Sequence, residues 1–221
     1  PLNGFTGDVT FDYTVVDLAG NETIGTATVT VDGGPQDQIV LRINAFGPEV
    51  AAIDGGPVWQ ADNGAGSQYL TTSDNRGDAP PAGYAGTIDA IPAGVPESVL
   101  DNARSSNAPF SYNIPVADLG GAGSFRVNLY VAELFSGGQA SAFRIFDASL
   151  EGSVPVAFNN ITPGTAFGAD VGVLSAEVEV TDGVLNIGLL QDAIDGVQNP
   201  IVNAIEIVRL GEPIADTEPP S

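Results

Sequence analysis

A two-residue alternation of apolar and polar side chains recurs in segment after segment of the chain, outside residues 46–98, and no helical period replaces it. In "VTFDYTVV" (Val9–Val16) it puts Phe11, Tyr13 and Val15 on one face, and in "TATVTV" (Thr26–Val31) it groups Ala27, Val29 and Val31. Successive side chains point to opposite faces only in a strand, so the pattern dictates sheets. Further strands are read at Ile39–Ala45, Phe110–Val116, Ser124–Leu134, Ala142–Gly152, Val154–Phe158, Gly172–Val180, Gly183–Leu190 and Ile201–Leu210. The turn signals "GGAG", "SGGQ", "TPG" and "TDG" fall between them at the spacing of a sandwich. The chain is therefore expected to be all-β, an antiparallel β-sandwich. The one helical turn anticipated lies in "PESVLDNARSSN". Residues 46–98 are rich in Gly, Pro, Asp, Asn and Ser and form a long irregular insert, a kind of segment that usually carries function.

Residues 9–31 read as a hairpin turned by "DLAGNETIG". A lone hairpin is marginal in water, so it is expected to need other strands. "DGGPQDQ" (Asp32–Gln38) and the tail "GEPIADTEPPS" read as linkers. The first residue is Pro and no signal peptide follows it, the pattern of a piece cut from a longer protein.

Charge then narrows the partners. The chain carries 28 Asp and Glu against 6 Lys and Arg, a formal net charge of -22. Such a surface repels nucleic acid and anionic membranes, whose binding needs cations. It suits divalent cations and neutral ligands such as sugars. Without His or Cys, imidazole and thiolate chemistry and Cys-based zinc sites are excluded. No apolar run approaches the length of a membrane span. No P-loop, dinucleotide fingerprint or nucleophile elbow occurs, and no carboxylate pair is singled out among so many acids, so no enzyme activity is expected.

"RINAFGP" (Arg42–Pro48), "VWQAD" (Val58–Asp62), "VPESVLDNARSSNAPFSYNIPV" (Val95–Val116), "FRVNLYVAE" (Phe125–Glu133), "FRIFDASLEG" (Phe143–Gly152), "VTDGVLNIGL" (Val180–Leu189) and "NPIVNAIEI" (Asn199–Ile207) occur in that order. Together they resemble the malectin domain, over roughly residues 39–210. The resemblance implies a jelly-roll β-sandwich that recognises glycans without catalysis, through aromatic residues and an acidic side chain. It also implies an extracellular setting, secreted or at the cell surface, as a module of a large secreted bacterial surface protein or adhesin, with carbohydrate as partner and no cofactor required. Residues 1–34 resemble the last two strands of a bacterial Ig-like or cadherin-like repeat, and "DTEPPS" resembles the opening of another. The expected organisation is thus a repeat hairpin at 1–34, a malectin-like sandwich at 35–211 and a linker at 212–221. Neighbouring Ig-like modules or identical subunits would complete the hairpin. The alternative function is a structural module of an extracellular stalk or filament.

Carried over residue by residue, the resemblance assigns Phe135 after the "AE" motif, either Tyr69 or Tyr84 from the insert, and the group Asp195, Gln198 and Asn199 around Asn-Pro as ligand contacts. The chain departs from the family where Leu100 replaces a Tyr, where Ser136 replaces the second of two aromatics, and where Gln198 replaces an acid. Trp59, the only tryptophan, is expected to be buried packing, because a large aromatic is usually core. Arg42, Arg104 and Arg144 are expected in structural ion pairs, with Glu133 a partner for one of them. "DNRGD" (Asp74–Asp78) has the oxygen density that allows one Ca²⁺, with Asp74 and Asp78 as ligands, although it lacks EF-hand spacing.

Overall fold

Strand residues dominate because the alternation gives each segment one face to bury. The computed structural model describes residues 7–31, 36–63, 68–71, 76–78, 91–134, 144–163, 171–191 and 199–211, with backbone alone at 76–78. The chain divides into a unit that contains the N-terminal hairpin and a second unit, Asp37–Leu210.

In the first unit β1 (Gly7–Val16) and β2 (Glu22–Val31) pair antiparallel, with Phe11 opposite Ala27 and Val9 opposite Val29. The turn is fixed by Asp17, whose carboxylate accepts from the N–H groups of Ala19 and Asn21, each at 2.8 Å. One face is apolar (Val9, Phe11, Tyr13, Val15, Ala27, Val29). The other is threaded by Thr26–Asp12 and Thr30–Asp8 hydrogen bonds of 2.7 and 2.6 Å.

The second unit contains β3 (Gln38–Ala45), β4 (Gln60–Asp62), β5 (Arg76–Asp78), α1 (Glu97–Leu100), β6 (Ala103–Ser105), β7 (Phe110–Pro115), β8 (Gly123–Val131), β9 (Asp147–Leu150), β10 (Gly172–Val180), β11 (Val184–Leu190), β12 (Ile201–Val202) and β13 (Ala204–Arg209). A five-stranded sheet has the order β10-β8-β13-β3-β4, and a three-stranded sheet the order β7-β11-β9. Alternate residues of both, including Ile43, Phe125, Val127, Leu129, Ile205, Tyr112, Ile114, Leu185 and Ile187, join in one buried core. Each such side chain stabilises the sandwich by about 1.5–3 kcal/mol. A small sheet, β12-β6-β5, completes the unit.

The all-β fold stands as expected, with local corrections. Val154–Phe158, expected as a strand, holds a 3-10 turn over Val156–Phe158, because its apolar residues are consecutive rather than alternating. Of the strand expected over Ala142–Gly152, the described residues form Asp147–Leu150. Ile201–Leu210 divides at Asn203, whose side chain turns inward. The insert at 46–98 is less irregular than its composition suggests. It holds β4, which pairs parallel with Ile43–Ala45, and β5, which pairs with β6.

Candidate ligand-binding face

Among the described residues three arginines are buried, and each faces a carboxylate. Arg104 Nε and Nη2 donate to Asp62 Oδ2 at 3.1 and 2.9 Å, and Nη2 also reaches the Asp62 carbonyl. The same carboxylate oxygen accepts from Tyr112 Oη at 2.7 Å and from the Phe46 N–H at 3.2 Å. Burial, and then the Asp62 charge, push the Tyr112 phenol well above its ordinary value. Phe46 sits at φ 63°, a left-handed position that costs a bulky residue strain. Its ring lies 5.0 Å from the Arg104 guanidinium. Arg144 Nε donates to Glu133 at 2.5 Å and its Nη1 to the Asn199 carbonyl at 2.9 Å. These arginines fasten loops to strands.

The third arginine belongs to a longer array. Arg42, Glu206, Asn128 and Ser175 occupy one cross-strand row on the second face of the five-stranded sheet. Ser175 donates to Asn128 at 2.6 Å, Asn128 to Glu206 at 2.9 Å, and Arg42 Nε to Glu206 at 2.8 Å. The other Arg42 nitrogens donate to both oxygens of Asp54, at 2.8 and 2.6 Å. That bidentate contact holds the Asp54 carboxyl well below the usual carboxylate range. The Arg42 guanidinium also lies 4.8 Å from the centre of the Trp59 ring. Tyr130 meets that ring edge-on at 5.6 Å. Trp59 is 0% exposed and belongs to a second apolar cluster with Val99, Leu100 and Tyr130. It is therefore a plug over the sheet, as expected, and its indole is not offered to a ligand.

Polar groups reach the surface at the end of the sandwich where β8 leaves the sheet. Asn199, whose carbonyl is held by Arg144, donates through Nδ2 to Asn107 Oδ1 at 2.7 Å. Behind this exposed amide pair stand buried Ser105, Ser106, Glu133 and Arg144. The remaining half of each amide, one NH₂ and one carbonyl oxygen, suits the hydroxyl groups of a neutral ligand. Beside it, Thr71, Pro109, Phe110, Ser111, Gly188 and Leu190 line a shallow groove of about 220 Å³.

The expected site residues are distributed unevenly. Asn199 lies on this face. Tyr84, Phe135, Asp195, Gln198 and Asp74 fall outside the described residues, as does the side chain of Asp78. Tyr69 is a correction. Expected as a stacking platform on a loop, it is 7% exposed and packs in the main core. Its backbone carbonyl accepts from Asn113, and its hydroxyl donates to Asp118 at 3.2 Å. Asp118 follows β7 and Asn107 precedes it, so the Tyr69 hydroxyl is directed to the end away from Asn199. Burial and the neighbouring Asp118 carboxylate push its phenol up to about 12. Among the described residues no group of three acids is placed to hold a metal ion.

The polar row, the Tyr112–Asp62 contact and the buried Asn203 escaped the sequence reading. Asn203 accepts from the Ala132 N–H at 2.7 Å and donates to the Leu100 and Asn102 carbonyls at 3.2 and 3.0 Å. The available signal was a polar residue interrupting an apolar strand, as Arg42 does in "IVLRINA", Glu206 in "AIEIV" and Asn203 in "IVNAI".

The described residues thus form an antiparallel β-sandwich that carries loop-borne amides at one end. Residues 39–205 match the Malectin domain family, and the chain belongs to it. No curated protein sequence matches the chain. Among solved structures it is similar to the plant receptor-like kinase FER, at 15% identity and TM-score 0.59, covering 88% of this chain and 58% of that one. A complex of the plant peptide RALF23 with FER and LLG2 matches at 16% identity and TM-score 0.60, covering 94% of this chain and 73% of that one. A β-glucuronidase of Bacteroides uniformis matches at 13% and 0.53, covering 92% of this chain and 22% of that one. At these identities the likeness shows the fold alone. The chain spans little more than half the length of the solved FER chain. No described helix is long and apolar enough to cross a membrane.

Proposed function

We propose that the chain is a non-catalytic glycan-binding module of a large secreted or cell-surface protein. It takes a neutral sugar at the end of the sandwich that carries Asn107 and Asn199, with Phe135, Tyr84, Asp195 and Gln198 as further contacts. The observation that carries this reading is the exposed amide pair, held rigid from behind by the Glu133–Arg144 ion pair on a malectin-family scaffold. Preorganised amides recognise hydroxyls without needing charge, which fits an acidic chain with few cations. No metal is needed for that recognition; a Ca²⁺ held by Asp74 and Asp78 would stiffen the insert. The test is a glycan array run with calcium and again with chelator. A neutral glycan bound by the wild type and lost by Asn199→Ala and Phe135→Ala supports the reading. A blank array in both conditions sinks it.

A second reading, a structural link in an extracellular stalk or filament, is favoured by the hairpin. Its apolar face leaves Phe11 52%, Tyr13 50% and Val15 55% exposed. An Ig-like or cadherin-like sheet, from neighbouring chain or from another subunit, would cover that face. Sedimentation separates the two sources, since a subunit-completed hairpin associates with concentration and a chain-completed one does not.

A further inference from the structure

The five-stranded sheet has an open edge. β13 flanks β3 from Gln38 to Asn44, but β4 pairs on the other side only from Ile43 onward. Among the described residues nothing pairs with the outer side of Gln38–Leu41, so backbone donors and acceptors there lack a strand partner. The chain leading into β4 is kept off this edge for chemical reasons. Pro57 has no N–H to donate. Its carbonyl instead accepts from Arg42 Nη1 at 3.4 Å, and Asp54 is drawn to the same guanidinium.

The gap is a cleft of about 1030 Å³, walled by Asp37–Val40, by Asp54–Pro57 and by Asp118–Gly120. Gly55 and Gly120 line it at φ 79° and 84°, so two of its turns present backbone rather than side chain. Three carboxylates, Asp37, Asp54 and Asp118, and one cation, Arg209, line it; Asp37 is paired with Arg126 at 2.9 Å and Asp54 with Arg42 at 2.6 Å. Arg209 is spent on the Leu119, Gly121 and Ala122 carbonyls at 3.3, 2.8 and 2.9 Å. Asp118 accepts from the neutral Tyr69 hydroxyl and faces no cation among the described residues. The acids are not grouped to share one metal ion. They line the same cleft as the open edge Gln38–Val40, where cationic side chains of an added strand would find negative charge.

We propose that this cleft binds an extended, positively charged peptide segment, added as a strand beside Gln38–Val40. Main-chain hydrogen bonds to the open edge supply affinity. Lysine or arginine side chains at alternate positions reach Asp118 and the partly screened Asp37 and Asp54, and so select the sign of charge. The site is separate from the amide face, so glycan binding can stand or fall independently.

The test uses the full chain and fluorescein-labelled pentapeptides that alternate lysine with valine. Controls are the glutamate–valine counterpart and two lysine–valine forms N-methylated on odd or on even amides. Anisotropy should show binding of the cationic peptide, none of the acidic one, and loss of at least tenfold in one N-methylated form, whose strand-pairing donors are gone. Asp118→Asn should weaken binding about two- to fivefold, the range of an exposed ion pair, whereas Glu179→Gln on the far edge strand should not. The amide resonances of Ile39 and Val40 should shift on titration. Absent binding, equal binding of both N-methylated forms, equal loss in Glu179→Gln, or shifts confined elsewhere would each overturn the proposal.

Discussion

Replacing Arg104 by Met keeps an unbranched chain of similar length in the core and removes only the guanidinium. Arg104 is 0% and Asp62 2% exposed, and one carboxylate oxygen gathers Arg104 Nε, Arg104 Nη2, Tyr112 Oη and the Phe46 N–H. Removing one member of a buried ion pair costs about 3–5 kcal/mol, because the other charge stays desolvated. For a unit of this size that is a fall in Tm of about 6–20 °C. At a urea slope of roughly 2 kcal/mol per molar, the midpoint falls by about 2 M. Trp59, the only tryptophan, lies in the second unit and is packed beside α1, so its fluorescence follows unfolding of that unit alone. A second substitution, Asp62→Asn on the Arg104→Met background, removes the stranded charge and should return about half of the loss. A midpoint shift under about 0.5 M for Arg104→Met, or a double variant less stable than the single one, would refute the argument that this pair is a desolvated ionic anchor.

Other outcomes follow from the same geometry. Trp59 fluorescence should be blue-shifted and nearly insensitive to acrylamide until the sandwich unfolds; ready quenching of the native protein would place the indole outside. Tyr69, with its phenol raised to about 12 against an ordinary 10.0, binds its proton more tightly when folded. The stability this contributes is complete below pH 10 and is lost as pH rises toward 12. Tyr69→Phe should therefore flatten the alkaline limb of the stability curve, read by urea titrations between pH 9 and 12. Gly47→Ala should destabilise by about 1–3 kcal/mol, since its methyl would lie 2.3 Å from Asn44 Nδ2 in a closed turn; an unchanged midpoint would show that Asn44 can yield.

Much of the fold was legible because it rests on alternation. Phe125, Val127 and Leu129 had to share a face, and so did Leu185, Ile187 and Leu189. Trp59 and the arginines were legible for a different reason: a large aromatic and scarce cations in an acidic chain have few stable places. The 3-10 turn at Val156–Phe158 was not legible, since consecutive apolar residues carry no period. Tyr69 was misjudged because it stands in a Gly-, Ser- and Thr-rich stretch, "GSQYLTTS", that shows no alternation. Its neighbours in space are Asn113 and Asp118, more than forty residues on, and no local pattern encodes them. The open edge at Gln38–Leu41 was hidden likewise, because it depends on where β4 begins to pair. The amide face was legible only at Asn199; its partner Asn107 lies in a segment that resembles the family but was not singled out as a contact.

The most direct test of the central claim, that ligand meets this module at the Asn107–Asn199 end, is a nitrogen–proton correlation spectrum titrated with the neutral glycan that the array selects. The account predicts saturable shifts at the backbone amides of Asn107, Leu134, Arg144 and Asn199 and at the Asn107 and Asn199 side-chain amides, with Trp59 and Tyr69 unmoved. A spectrum unchanged at millimolar sugar, or shifts centred on another face, would contradict it.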